Sequence, residues 1–235
     1  MKIIKLYLLF LTGTVISLSC KKDNNNGPTT IASLNVINAA IDVPSVNVNF
    51  TNNPIPFYLY QQPVYYGSNF EWGISSGDSA ITIVSSADTM NNLYSGNLNL
   101  SPGGIYSLYL IGQLPKVSVL FVQDTIPLHS DSTSGLRFIN LSPLSQPMSI
   151  NLQGDAPDQM QFSNLEYGKA SGFKTYPATN GIYNYTFEVR DQATGDLLTT
   201  VTWNLTLFKN NTLVICGLED PAASTLISTF QINNY

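Results

Sequence analysis

Cysteine, histidine and charge are all scarce in this chain of 235 residues: two cysteines, one histidine, and 11% Asp, Glu, Lys and Arg together. A single histidine, His129, in the Ser-rich stretch 129–135, leaves no ordinary way to assemble a Ser-His-Asp triad or a multi-histidine metal site. The ten basic residues are outnumbered by fifteen acidic ones, for a formal net charge of -5. A mildly acidic chain without a basic patch excludes nucleic acid as a natural partner. Helix-favouring Ala, Glu and Lys are thin, while Tyr, Asn, Ser and Thr are abundant, which is the chemistry of strands and turns. No cofactor fingerprint or metal-ligand series stands in the sequence, so no catalytic residue, cofactor or metal is expected.

The one long apolar run is at the N-terminus. Lys2 and Lys5 precede Leu6–Leu11 and continue through Val15 and Ile16. That run is shorter than the roughly 20 apolar residues of a transmembrane helix and matches a secretory h-region. It ends in Ser17-Leu18-Ser19-Cys20, which resembles the lipobox of lipoproteins, with Ser17 where Leu is usual. The resemblance implies a signal peptide over residues 1–19 and a lipid-bearing Cys20, with palmitate-type acyl chains as the membrane anchor. Cys216 then has no mate for a disulfide. Residues 20–30, Lys-, Asn- and Gly-Pro-containing, read as a polar tether. Cys-Lys-Lys-Asp with an Asn-rich spacer is similar to the start of many Bacteroidetes lipoproteins, which implies a cell-envelope location, in the outer membrane and exposed at the cell surface.

An internal repeat organises the remainder. Leu34-Asn35-Val36-Ile37-Asn38 superimposes on Leu136-Arg137-Phe138-Ile139-Asn140 at an offset of 102, which also sets Val46, Val48 and Phe50 over Met148, Ile150 and Leu152. Tyr66-Gly67 matches Tyr167-Gly168, and Leu108–Gly112 matches Leu213–Gly217, so the offset drifts only between 101 and 105. Order preserved with small insertions implies two copies of one domain, 31–128 and 135–235.

Alternation with a period of two, as in Val46, Val48, Phe50 and in Tyr183, Tyr185, Phe187, Val189, predicts strands with one buried and one wet face. Further strands are expected at Ala80–Ser85, Tyr106–Ile111, Val117–Gln123, Val201–Phe208 and Leu226–Ile232. Turns are expected at Ser101–Gly104, Ala193–Asp196 and Lys209-Asn210-Asn211. The fold class is all-β, two tandem immunoglobulin-like β-sandwich domains, without the Cys-Trp-Cys hallmark of true immunoglobulin domains.

Each copy opens with a strand, an Asn and a Pro-containing segment. Arg137-Phe138-Ile139-Asn140-Leu141-Ser142-Pro143, the two Tyr-Gly elements and Leu120-Phe121-Val122-Gln123-Asp124 resemble the family of secreted bacterial domains of unknown function 4397. The first copy departs from that pattern at Ala40-Ile41. The resemblance covers most of residues 32–232 and implies paired sandwiches with no assigned catalytic residues.

Among chemical candidates, Cys216 lies in the apolar run Leu213–Gly217 and reads as a small core residue. The carboxylate pairs Asp155/Asp158 and Glu219/Asp220 could serve glycoside hydrolysis, which needs two acids about 5–10 Å apart, but both fall in turn-like sequence. A calcium-binding turn at Asp155–Asp158 lacks a spaced series of oxygen ligands. Tyr58, Tyr60, Tyr65, Tyr66, Phe70 and Trp72 crowd one Pro-rich segment, where Tyr58, Tyr60 and Trp72 are candidate ligand-stacking aromatics, unless alternate members fill the first core. Asp78-Ser79-Ala80, Asp88-Thr89-Met90, Asp124-Thr125-Ile126 and Asp131-Ser132-Thr133 resemble Bacteroidetes O-glycosylation triplets, with Ser79, Thr89, Thr125 and Ser132 as acceptors. The expected function is non-enzymatic binding or structural support in the envelope, with a glycan or another envelope protein as partner. The alternative is a surface polysaccharide hydrolase using loop carboxylates.

Overall fold

The computed structural model describes residues 30–51, 62–179, 181–220, 222–223 and 225–235. The signal peptide, Cys20, Tyr58 and Tyr60 lie outside the described residues. Among these residues the regular structure is entirely β. The first half contains β1 (Ile31–Asn38), β2 (Ser45–Asn49), β3 (Val64–Tyr65), β4 (Ser68–Ser75), β5 (Gly77–Ser85), β6 (Asp88–Leu100), β7 (Ile105–Gln113) and β8 (Lys116–Gln123). They form two sheets, β4-β1-β7-β8 and β3-β2-β5-β6. The second half contains β9 (Thr133–Asn140), β10 (Met148–Leu152), β11 (Met160–Leu165), β12 (Lys169–Ala170), β13 (Lys174–Pro177), β14 (Asn184–Asp191), β15 (Leu197–Asn204), β16 (Asn210–Cys216) and β17 (Ser228–Asn234). Its sheets are β12-β9-β16-β17, with β13 also on β9, and β11-β10-β14-β15.

The two halves repeat one topology. In each, the opening strand pairs in parallel with the penultimate one, β1 with β7 and β9 with β16, while every other named pairing is antiparallel. The repeated sequence elements are the turns that make this possible. Asn38 donates from Nδ2 to the Val43 carbonyl (2.9 Å) and accepts at Oδ1 from the Ala40 amide. Asn140 does the same with the Leu165 carbonyl (3.0 Å) and the Ser142 amide. These are side chains that substitute for backbone partners where the chain leaves the ladder. The Tyr-Gly elements close on the same asparagines: the amides of Gly67 and Gly168, both at φ +73, donate to the carbonyls of Asn38 and Asn140. That left-handed conformation is the one glycine adopts without steric penalty.

Each half encloses its own core. Leu34, Val36, Val46, Val48, Ile81, Ile83, Leu108 and Leu110 fill the first. Phe138, Met148, Ile150, Phe187, Trp203, Leu213 and Ile215 fill the second. A third core lies between the halves, where Ile37, Tyr109 and Ile111 meet Ile139, Val214, Cys216 and Ile232. The sheets carrying β1 and β9 are therefore covered on both faces, and the molecule is a stack of four sheets. The inner strands therefore show no alternation of buried and wet residues: β16 is buried along its whole length, as its apolar run predicts, and β7 at all but its two ends. Asn47 and Asn49, expected on the wet face of β2, are buried as well.

In the second half three boundaries differ from expectation by two residues or more. The strand expected at Val201–Phe208 is β15, Leu197–Asn204, because Phe208 turns at φ +66. The turn expected at Lys209-Asn210-Asn211 is the entry to β16, with Asn210 and Asn211 buried. Leu226–Ile232 begins later, at Ser228.

Candidate functional site

Where the two inner sheets meet, the interface is apolar at one end and polar at the other. At the starts of β1, β7, β9 and β16 the facing residues are Ser33, Asn35, Ser107, Arg137 and Thr212; further along they give way to the third core. The polar end is tied by a buried ion pair across the halves. Arg137 Nη2 lies 2.5 Å from Asp124 Oδ1, and both side chains are almost fully enclosed. Asp124 Oδ2 accepts from Ser107 Oγ at 2.6 Å, Arg137 Nε donates to Thr212 Oγ1 at 2.8 Å, and the guanidinium lies 4.7 Å from the centre of the Phe173 ring. A buried charge so fully partnered fixes the relative placement of the sheets.

Beside this pair the interface opens into a cleft. Glu71, Thr206, Lys209, Asn211, Asn233, Asn234 and Tyr235 line a cavity of about 300 Å³. It continues past Glu71 and Tyr235 into a more open hollow of about 430 Å³ between Ile31 and Ile105, lined by Gly73, Gly103 and Gly104. Glu71 is aimed here by strand alternation. On β4, Phe70 and Trp72 belong to one face and Glu71 and Gly73 to the other. Ser33 Oγ donates to Glu71 Oε1 and lies 2.8 Å from the Tyr235 hydroxyl. Tyr235 is half exposed.

The wall supplied by the second half has a fixed hydrogen-bond sense. Trp203 Nε1, which can only donate, reaches Asn211 Oδ1 at 2.8 Å, so Asn211 Nδ2 is the end that donates onward to Asn233 Oδ1, also at 2.8 Å. Gln231 Nε2 donates to the same oxygen at 2.9 Å. In parallel, Arg137 Nε reaches Thr212 Oγ1, whose hydroxyl donates to Asn234 Oδ1 at 2.7 Å. Both chains begin at a donor-only group and end on the amide oxygens of Asn233, which takes two donors, and Asn234, which takes one.

The candidates named from sequence are scattered. Trp72 is half-buried against the first core, its ring 5.4 Å from Phe50 and 4.6 Å from Phe70. Cys216 is buried in the third core, where Tyr66 donates its hydroxyl to Sγ at 3.3 Å; burial pushes the thiol up from its ordinary value, and Tyr66 likewise. His129 is bound to Asn210 Oδ1 through Nε2 (2.9 Å) and to Thr133 Oγ1 through Nδ1 (3.1 Å). Asp155 and Asp158 occupy the turn after β10, whereas Glu219 and Asp220 follow β16. Since β10 runs back from the end at which β16 finishes, the two pairs stand at opposite ends of the second half. Among the described residues no three His, Cys, Asp or Glu side chains converge as metal ligands. Thr125 and Ser132 are exposed, while Ser79 and Thr89 are half-buried.

Asn211, Asn233, Asn234 and Tyr235 were not among the residues singled out by sequence reasoning. Glu71 carried one usable signal, as the lone acid in an aromatic strand, on the face opposite Trp72.

Fold and cleft together define an all-β protein of stacked sandwiches with a polar recess between the halves. The chain belongs to the family described as a domain of unknown function, DUF4397, whose model matches residues 32–151. That span takes in the whole first half and the first two strands of the second. No curated protein matches the chain. Similar solved structures include a carbohydrate-binding module of family 26 from Eubacterium rectale Amy13K in complex with maltoheptaose, at 11% identity over 87% of this chain and 97% of that one, with a TM-score of 0.29. Another is the Bacillus anthracis TIE protein, at 10% identity over 87% of this chain and 44% of that one, with a TM-score of 0.24. A third is a candidate cell adhesion protein from Bacteroides eggerthii, at 8% identity over 89% and 97%, with a TM-score of 0.22.

Proposed function

We propose that the protein is a non-enzymatic binding lipoprotein of the cell envelope, anchored through lipid on Cys20 and built from two copies of one sandwich domain, 31–128 and 135–235. Its ligand is a glycan held in the cleft between the copies. The observation that carries this reading is the cleft itself, a recess walled by hydroxyls and side-chain amides, with the half-exposed Tyr235 ring beside it. Sugars are recognised by that combination of hydrogen-bonding groups and a flat apolar surface. The opposed placement of the two carboxylate pairs disfavours a hydrolase that takes one acid from each, since its two acids must stand on either side of one bond. Thr125 and Ser132, exposed between the copies, are the better placed of the four proposed O-glycosylation sites.

A glycan array probed with the mature chain carrying Cys20→Ser tests the reading. Specific binding that is lost in a folded Glu71→Ala, Tyr235→Ala variant supports it; binding lost instead in a Trp72→Ala variant with the cleft intact returns the site to the aromatic segment. Incorporation of labelled fatty acid, absent in Cys20→Ala, tests the anchor.

A further inference from the structure

We infer that the cleft selects an acidic sugar, its carboxylate held by Lys209, Asn233 and Asn234 and its hydroxyls by Glu71. The inference rests on the reading of the cleft as a glycan site and goes beyond it in assigning charge and polarity to the ligand.

The assignment follows from which ends of the side chains remain available. Asn233 Oδ1 already accepts from Asn211 and Gln231, and Asn234 Oδ1 from Thr212. Their Nδ2 groups have no hydrogen-bond partner among the described residues and are donor ends left to meet a ligand; Asn233 can only donate to it, both lone pairs of its oxygen being taken, while Asn234 Oδ1 keeps one. The sense at Asn233 cannot reverse locally, because its chain starts at an indole N–H that has nothing to accept with and Asn211 passes that sense on. Lys209, on the same wall, adds an ammonium, which is also donor-only. Three donors, one of them cationic, line the cleft where a ligand must supply acceptors, and an anionic oxygen suits them best because charge-assisted hydrogen bonds are the stronger ones. The opposite wall has the reverse character. Glu71 accepts from Ser33 through Oε1 and keeps acceptor capacity for donors of the ligand. A molecule with a carboxylate at one end and hydroxyl donors at the other fits both walls, and a hexuronic acid is the simplest of that class. A neutral sugar leaves Lys209 unanswered, and a simple inorganic anion has nothing to offer Glu71.

Titration of the mature Cys20→Ser chain with trigalacturonic acid and with its methyl ester, which keeps every ring hydroxyl and loses the charge, separates this inference from the reading beneath it. The acid is expected to bind about tenfold or more tighter than the ester. Lys209→Met should bring the two ligands close together. Asn233→Asp, nearly isosteric and still able to accept from Asn211 and Gln231, should weaken the acid and spare the ester. Glu71→Gln should weaken both. Circular dichroism and melting temperature confirm that each variant folds. Equal affinity for acid and ester would overturn the acidic class and leave a glycan site standing. Binding of neither trisaccharide, together with an empty glycan array, would overturn both. Acid-selective binding that is indifferent to Lys209→Met and Asn233→Asp would remove the cleft as its location.

Discussion

Arg137 illustrates how a single side chain can hold two sheets in place. Its partners, Asp124, Thr212 and Phe173, come from three separate parts of the chain, and Asp124 beyond the end of β8 is even more enclosed than the guanidinium. Removing the cation would leave a buried carboxylate with only Ser107, a situation that typically costs about 3–5 kcal/mol. Arg137→Met should therefore lower the stability by about that amount in urea unfolding, and Asp124→Asn added to it should recover part of the loss. A second residue-scale prediction concerns Glu219. Burial, and then the charge of Asp191, raise its carboxyl above the ordinary 4.5, and its Oε1 is enclosed without a hydrogen-bond partner. The folded chain thus holds that proton more tightly than the unfolded one, so the stability contribution is present at low pH and is lost as pH rises through the raised value. Glu219→Gln should melt higher than the parent at pH 7, with the difference closing below about pH 4. A pH series of melting temperatures measures both limbs.

At the scale of elements, the sequence was legible where structure is made locally. Asn38 and Asn140 announce the chain's exit from the ladder through side-chain turns spanning a few residues, and the Tyr-Gly pairs mark the return, so both survive as an ordered repeat. The run Leu213–Cys216 was recognisable as buried because an inner strand with two covered faces has no polar alternation to display. What covers its second face is the other half of the molecule, a tertiary fact with no local signature. The cleft was hidden for the same reason. Asn210-Asn211 has the composition of a turn, yet Pro127, Trp203, Asn233 and Tyr235 supply the partners that hold it as the start of a strand. The enclosure of β16 is directly measurable through its one thiol. In the chain without Cys20, Cys216 should resist iodoacetamide under native conditions and react fully in denaturant; rapid native labelling would show that the sheets part at that strand.

Across the whole molecule, the third core makes each half a boundary condition for the other. An isolated 31–128 fragment would expose Ile37, Tyr109 and Ile111 in one patch, an aggregation hazard for a free sandwich. The intact chain should unfold in a single calorimetric transition with matching calorimetric and van't Hoff enthalpies, whereas two resolved transitions would mean that the apolar seam contributes little.

The duplicated architecture also gives the polar seam two equivalent corners. Ser107 pairs with Val122 as Thr212 pairs with Ile232, so two residues further on Asp124 and Asn234 are counterparts, and each accepts from its own Ser or Thr hydroxyl. At one corner a carboxylate has drawn in Arg137 and Phe173 and sealed the joint. At the other an amide leaves the joint ajar. On the proposed reading of the cleft, one repeat unit has thereby provided both a rivet and a socket, and because the rivet already secures the assembly, the socket residues are free to change while the scaffold around them stays the same.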